Sequence, residues 1–253
     1  MLSLSSFYLI VYIWIAVAVF TFLLLLRISA PYGRHSRPGW GPQIGNRTGW
    51  ILMELPALAI PAIFFFLGQG EKNTVVWVLF LLFIVHYVNR VLVFPFRLRT
   101  HGKKMPLVIV FMAVFFNLVN GFIIGYFLGN YGGIYPAGWL SGIPFIAGLI
   151  LFIAGMSLNW WADNKLIQLR KSSANGYRIP RGGVFRWVSC PNHLGEIVEW
   201  AGYAVMMWNP AGLSFAVWTA ANLIPRARDH HQWYKETFED YPPRRRAVIP
   251  HVL

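Results

Sequence analysis

Residues Val75–Phe94 read VVWVLFLLFIVHYVNRVLVF. A helix crossing a bilayer needs about 20 mostly apolar residues, and this run supplies them with a single cation, Arg90. Four further stretches have the same character: Phe7–Leu26, Trp50–Leu67, Pro106–Gly129 and Leu140–Leu158. Two weaker ones follow, Leu194–Trp208 and Pro210–Pro225, the former interrupted by Glu196 and Glu199. Backbone groups at membrane depth must be satisfied within the chain, and no stretch alternates with a strand's period long enough to build a barrel. The reading is therefore an all-α integral membrane protein, a bundle of seven transmembrane helices in one membrane domain, with everything outside the helices expected as loop. The composition agrees: of 253 residues, 57% are hydrophobic and only 12% charged, outside the usual range of soluble domains.

The net charge of +13 raises the question of nucleic acid, and the placement of the charge answers it. Of 22 Lys and Arg residues, only Lys72 lies in a candidate outside loop. The rest fall into four blocks, Arg27–Arg47, Arg90–Lys104, Lys165–Arg186 and Arg226–Arg246, after spans one, three, five and seven. This is the positive-inside pattern, with the amino terminus outside and the carboxyl terminus cytoplasmic. Basicity here records topology, with no nucleic-acid partner and no obligate protein partner evident. The first span lacks a basic leader and exceeds the 7–15-residue core of a signal peptide. The single cysteine, Cys190, excludes an internal disulfide and a cysteine-built metal site. Seven histidines without an HxxxH or HxxHH box leave no metal expected. The inside segments Arg27–Arg47 and Arg170–Pro191, long and rich in Gly, Pro and Arg, put the working face on the cytoplasmic side.

Charges at membrane depth are costly and mark sites. Glu54 stands four residues into an apolar run, flanked by Met53, Leu55 and Pro56. Two roles are open to it: a helix-end carboxylate paired with an Arg, or a neutral acid, favoured by desolvation, that donates a hydrogen bond. Tyr87 lies at similar depth in the third span. Together a buried Tyr and a protonated acid suit one carbonyl oxygen that becomes an enolate, the pairing used by ketosteroid isomerase. Asn192, Glu196 and Glu199 recur at i, i+4 and i+7 on one helical face, beside His193. Their expected partners are Arg178, Arg181 and Arg186 of the preceding loop, or Arg226. A salt-bridge lattice and a ligand site explain that face equally. Asn159, Asp163 and Arg170 leave the fifth span on one side, and Arg226, His230 and Tyr234 do the same after the seventh. The stretch Tyr177-Arg-Ile-Pro-Arg-Gly-Gly183 joins cations to glycines in a way that suits a pyrophosphate, although it is no Walker loop or dinucleotide fingerprint.

From NWWADNKLIQLRK through GYRIPRGGVFRWVSCPNHLGEIVEW to HHQWYKETFEDYPPRRRAVIP, the region Asn159–Leu253 resembles the carboxyl-terminal part of the steroid 5α-reductase family. The Glu54 and HYVNR segments are similar to that family's as well. The resemblance implies a seven-helix membrane enzyme that uses NADPH to reduce the 4,5 double bond of a 3-oxo-Δ4 steroid. It implies that Glu54 and Tyr87 bind the 3-keto oxygen. It also implies that Asn159, Asp163, Arg170, Tyr177, Arg178, Asn192, Glu196, Arg226, His230 and Tyr234 belong to the cofactor site, with Trp200 nearby. Residues 1–130 would then hold the substrate and 131–253 the NADPH, in a bacterial inner membrane or the endoplasmic reticulum, with membrane lipid around both. Val88-Asn89 in HYVNR departs from the aromatic or His expected there, and the pair Trp160-Trp161 has no assigned role. The alternatives are a reductase of another lipid enone, of polyprenol or enoyl-thioester type, and an isoprenylcysteine-type membrane methyltransferase, which needs no buried acid and tyrosine at these positions.

Overall fold

The computed structural model describes residues 1–98, 100, 102–171 and 177–253. Residues 99, 101 and 172–176, which fall in the expected basic blocks and in the long inside segment, lie outside the described residues. Seven long helices occur among the described residues. They are α1 Leu4–Leu25, α2 Asn46–Leu67, α3 Thr74–Arg97, α4 Leu107–Tyr131, α5 Ile143–Lys171, α6 Pro191–Met207 and α7 Pro210–Thr237. The first five are long and apolar enough to cross a membrane. Helix α6 has 17 residues and carries the two glutamates that break its hydropathy.

Local chemistry sets several helix ends. Ser3, Asn73 and Asn209 cap α1, α3 and α7 by accepting from backbone N–H groups of the first turn. Trp208, in the left-handed conformation at φ 46°, makes the tight reversal between α6 and α7. Helix α3 is not uniform, because Asn89–Val93 forms a π turn just after Tyr87. Pro95, without an N–H, removes the regular partner of the Val91 carbonyl in this stretch. Sequence reading gave helix and loop alone, yet the structure adds a short antiparallel ladder. Gln43–Gly45 pairs with Lys104–Pro106 and ties the loop after α1 to the loop after α3. Its three-residue strands are too short to leave a periodic trace.

Glycine brings two helix pairs into backbone contact. On α5 and α6, Gly148 faces Gly202 and Gly155 faces Gly195; a Cβ at Gly155 would lie 2.3 Å from the Glu199 nitrogen. On α4, Gly121, Gly125 and Gly129 recur every four residues against Pro61 and Phe64 of α2. The remaining elements meet through aromatic packing. At one end Phe7 packs against Tyr126, Phe127 and Tyr131, and toward the middle Trp14 packs on Trp218 at 4.5 Å. Helices α5 and α7, with 29 and 28 residues, are about 42–44 Å long and outreach a hydrocarbon core of about 30 Å. The expected span Leu140–Leu158 accordingly continues as helix to Lys171. Its last turns, like those of α7, raise polar side chains beyond the apolar zone.

Candidate active site

One cavity of about 730 Å³ is walled by residues from all seven helices and by the loop after α1, well within the range of small-molecule sites. Its wall changes character along its length. One part is apolar, with Trp14, Val17, Met112, Phe116, Phe215 and Trp218. The other is polar and cationic, with Arg34, Lys103, Asp163, Arg170, Asn192 and Glu196.

Glu54 and Tyr87 both line this cavity. Glu54 lies 3.5 Å from Nη2 of Arg90, whose guanidinium rests over the rings of Trp50 and Phe94 at 4.8 and 5.0 Å. Of the two roles open to Glu54 from sequence, the pairing with an Arg is the one visible here, and the Arg comes from α3. Pro56 removes a helical N–H one turn after Leu52, and Asn117 of α4 donates to the Met53 carbonyl at 2.7 Å, bracing the turn that presents Glu54. Tyr87 is 5% exposed and is held among Phe83, His86, Trp200 and Phe215.

The residues attributed to a cofactor site separate into two groups. Asp163, Arg170, Tyr177, Asn192, Glu196, Trp200, Arg226, His230 and Tyr234 line the cavity. Asn159 and Arg178 do not. Asn159 is buried at the glycine-rich α5–α6 contact, where it donates to the Asn192 carbonyl at 2.9 Å and to Glu196 Oε2 at 3.4 Å; it is a brace behind the wall. Arg178 is exposed in the segment between α5 and α6. Asn192 also donates to Asp163 Oδ1 at 3.1 Å, so the two polar faces read from α5 and α6 are one hydrogen-bonded seam.

The expected arginine partners of the α6 carboxylates are not found among the described residues. Glu199 is bonded to His86 at 2.7 Å, Arg181 pairs with exposed Asp240, and Arg226 turns to the loop after α1. Arg226 donates to the carbonyls of Ala30 and Tyr32 at 2.9 and 2.8 Å and stacks on the Tyr32 ring at 3.9 Å. The physical reason is distance along the fold: Glu199 lies two turns inside α6, facing α3, whereas Arg178, Arg181 and Arg186 precede α6 in the chain and Arg226, on α7, faces the first loop.

Arg226 thereby folds the first loop over the cavity, which brings in a residue that sequence reading passed over. The Arg34 guanidinium lies over Tyr177, Trp233 and Tyr234 at 5.1, 4.8 and 4.7 Å. Its Nη1 is buried without a partner among the described residues. Lys103, also missed, donates to the Tyr177 hydroxyl at 3.0 Å. Burial alone would raise the Tyr177 pKa, but Lys103, Arg34 and Arg170 outweigh it and hold the phenol below its ordinary value. His35 and His230 share a hydrogen bond at 2.8 Å with stacked rings. Burial, then the Arg226 and Arg34 charges, pushes His35 down to about 4; burial and the same two arginines, Arg34 first, push His230 well below its ordinary value. Both imidazoles are neutral at pH 7, and one N–H serves the pair.

Helices long and apolar enough to cross a membrane thus surround a chamber that is apolar at one part and cationic at the other. Comparison with known proteins identifies the lineage. The sequence profile of 3-oxo-5-alpha-steroid 4-dehydrogenases matches residues 103–253. A steroid 5-alpha-reductase of Gossypium hirsutum is 44% identical over 240 residues, covering 93% of each chain. The 3-oxo-5-alpha-steroid 4-dehydrogenase 1 of Bos taurus is 40% identical over 246 residues, covering 96% of this chain and 95% of its own. That of Homo sapiens is 36% identical over 245 residues, covering 96% and 93%. The chain belongs to the 3-oxo-5-alpha-steroid 4-dehydrogenase family, whose members are oxidoreductases acting on a CH–CH bond.

Proposed function

We propose that this chain reduces the 4,5 double bond of a 3-oxo-Δ4 steroid with NADPH. The observation that carries the proposal is the single cavity that joins Glu54 and Tyr87 on an apolar chamber to a cationic, aromatic-walled one. The cationic part fits the cofactor. Arg34 Nη1 is buried there without a partner among the described residues, and a polyanion with planar rings satisfies such a donor and the aromatic faces around it. Arg34, Lys103, Arg170 and Tyr234 would hold the phosphate-bearing part, and Asp163, Asn192 and Glu196 the hydroxyl- and amide-bearing parts. When bound, NADPH supplies the hydride that C5 of the steroid receives.

The chain's own groups manage the charge that develops. As C5 accepts hydride, electron density moves to the 3-oxygen. The Tyr87 hydroxyl and the protonated Glu54 donate to that oxygen and stabilise the enolate, each worth about 3–4 kcal/mol where charge appears. C4 then takes a proton that comes from water. Arg90 holds the Glu54 carboxylate in the wall; when a carbonyl displaces Arg90, Glu54 takes a proton from water and becomes the neutral donor. Trp14, Phe116, Phe215 and Trp218 exclude water around the ring system, which sharpens the electrostatic contrast. On this reading residues 1–130, joined by Phe215 and Trp218, hold the steroid, 131–253 hold most of the NADPH, and all seven helices cross the membrane with the amino terminus outside. Introduced cysteines labelled from one side or the other check that topology.

Detergent-purified protein with NADPH and progesterone or testosterone should give a product two hydrogens heavier by mass spectrometry. Glu54→Gln and Tyr87→Phe should each cut turnover about 100- to 1000-fold, the range for losing one donor to a developing oxyanion, while NADPH affinity stays within about threefold. NADPH binding without turnover of 3-oxo-Δ4 steroids would move the substrate to another lipid enone. Absence of NADPH binding would end the reductase reading.

A further inference from the structure

Outside the cavity wall lies a buried ionisable pair that the chemistry above does not use. His86 Nδ1 donates to Glu199 Oε1 at 2.7 Å, with 2% and 0% of the side chains exposed. Neither residue lines the cavity, yet the residue that follows each in the chain does: Tyr87 after His86, and Trp200 after Glu199. The three rings form one cluster, edge-on for His86 against Trp200 and Tyr87 with centres 4.7 and 5.1 Å apart, and tilted for Tyr87 and Trp200 at 6.0 Å, with Glu199 bonded to the imidazole.

The two sides of this pair differ in rigidity. Glu199 stands on the part of α6 clamped against the α5 backbone at Gly155. His86 stands on α3 just before the π turn Asn89–Val93, where the regular ladder of i to i−4 bonds is interrupted. Besides this pair, the polar tie between α3 and α6 among the described residues is Tyr203 Oη donating to the Leu79 carbonyl at 3.1 Å, two turns away from His86. Near Tyr87, therefore, the aromatic packing of Phe83, His86 and Tyr87 on Trp200 is given a fixed direction by one buried hydrogen bond.

We propose that His86 and Glu199 are positioning residues: their hydrogen bond fixes α3 on α6 so that the Tyr87 hydroxyl points at the reacting oxygen. The proposal rests on the reductase reading above and adds to it how the substrate side and the cofactor side are held in register. A buried charged pair is weak support for stability, because an apolar pair of similar size does as well; fixing one arrangement is what it can supply that an apolar pair cannot. The effect should then appear in the chemical step, since misplacement by about 1 Å costs about 100-fold.

The test uses full-length protein in detergent, with kcat, steroid KM and NADPH Kd measured separately. His86→Leu/Glu199→Leu removes the bond without stranding a charge, and gel filtration checks that it folds. It should lose about 100-fold in kcat with NADPH Kd within threefold of the parent. Glu199→Gln, which keeps an acceptor for the imidazole N–H, should stay within about threefold in kcat. In a Tyr87→Phe background, removing the pair should cost less than threefold more, because the group it positions is already gone. Full kcat in the double-Leu protein, an effect that multiplies with Tyr87→Phe, a parallel loss of NADPH affinity, or a Glu199→Gln as inactive as the Leu protein would each overturn the proposal. A parent that binds NADPH but turns over no 3-oxo-Δ4 steroid would overturn the underlying reading, and the proposal with it.

Discussion

Single residues explain both how the site works and why part of it escaped the sequence. Glu54 and Tyr87 were legible because an acid in an apolar run and a tyrosine at equal depth need no structure to stand out. Arg34 was not, because one arginine in a basic loop looks like any other topological charge. Only the Arg226 bonds to Ala30 and Tyr32 reveal that the loop folds over the cavity. Arg34→Ala should therefore raise the NADPH Kd about tenfold in a fluorescence titration, the loss expected for one phosphate-facing cation of about 1.4 kcal/mol. Arg178→Ala, at an exposed position off the wall, should change it less than threefold. His35 gives a pH signature. Its pKa is lowered on folding to about 4, so the unfolded chain binds the extra proton first as pH falls. The stability it contributes is present above pH about 6.5 and is lost as pH drops from there toward 4. The melting temperature followed by tryptophan fluorescence should fall across that window, and His35→Gln should flatten the fall. An unchanged slope would remove His35 from the account.

Individual elements were legible in proportion to their periodicity and length. Five helices announced themselves by hydropathy, and α6 formed despite Glu196 and Glu199 because both acids find partners inside the bundle: Asn159 for Glu196, His86 for Glu199. What could not be read was relation between elements. The glycine pairs 148/202 and 155/195 are seven residues apart on each helix, a spacing that acquires meaning only once the two helices are known to be neighbours. The π turn at Asn89–Val93 and the ladder between 43–45 and 104–106 likewise depend on tertiary context. The α5–α6 contact is the rigid frame of the proposed cofactor side. Gly155→Val would force a side chain into the Glu199 backbone and should cost more than the about 1–3 kcal/mol of ordinary core overpacking. Thermal melts should drop sharply for Gly155→Val and much less for Gly138→Ala, where a Cβ meets nothing within 4 Å. Equal melts would show that the two helices have slack.

At the scale of the whole molecule, the fold converges two kinds of surface on one chamber, an apolar one that we propose for the steroid rings and a cationic one that we propose for the dinucleotide. The sequence displayed both in separate thirds of the chain, and the family resemblance joined them before the geometry did. Several residues cross this division: Arg34 and Lys103 come from the substrate half and face the polar part of the cavity, and Phe215 and Trp218 come from the other half and face the apolar part. The central claim is that the two halves meet so that hydride reaches C5 while charge collects at the 3-oxygen. It is tested most directly by turnover of progesterone with NADPH carrying deuterium at both hydrogens of its nicotinamide C4, in ordinary water, with the product read by NMR. The account predicts one deuterium at steroid C5 and none at C4, and deuterium at C4 only when unlabelled cofactor is used in heavy water. Cofactor-derived deuterium at C4, or a reduced product without it at C5, would contradict the account.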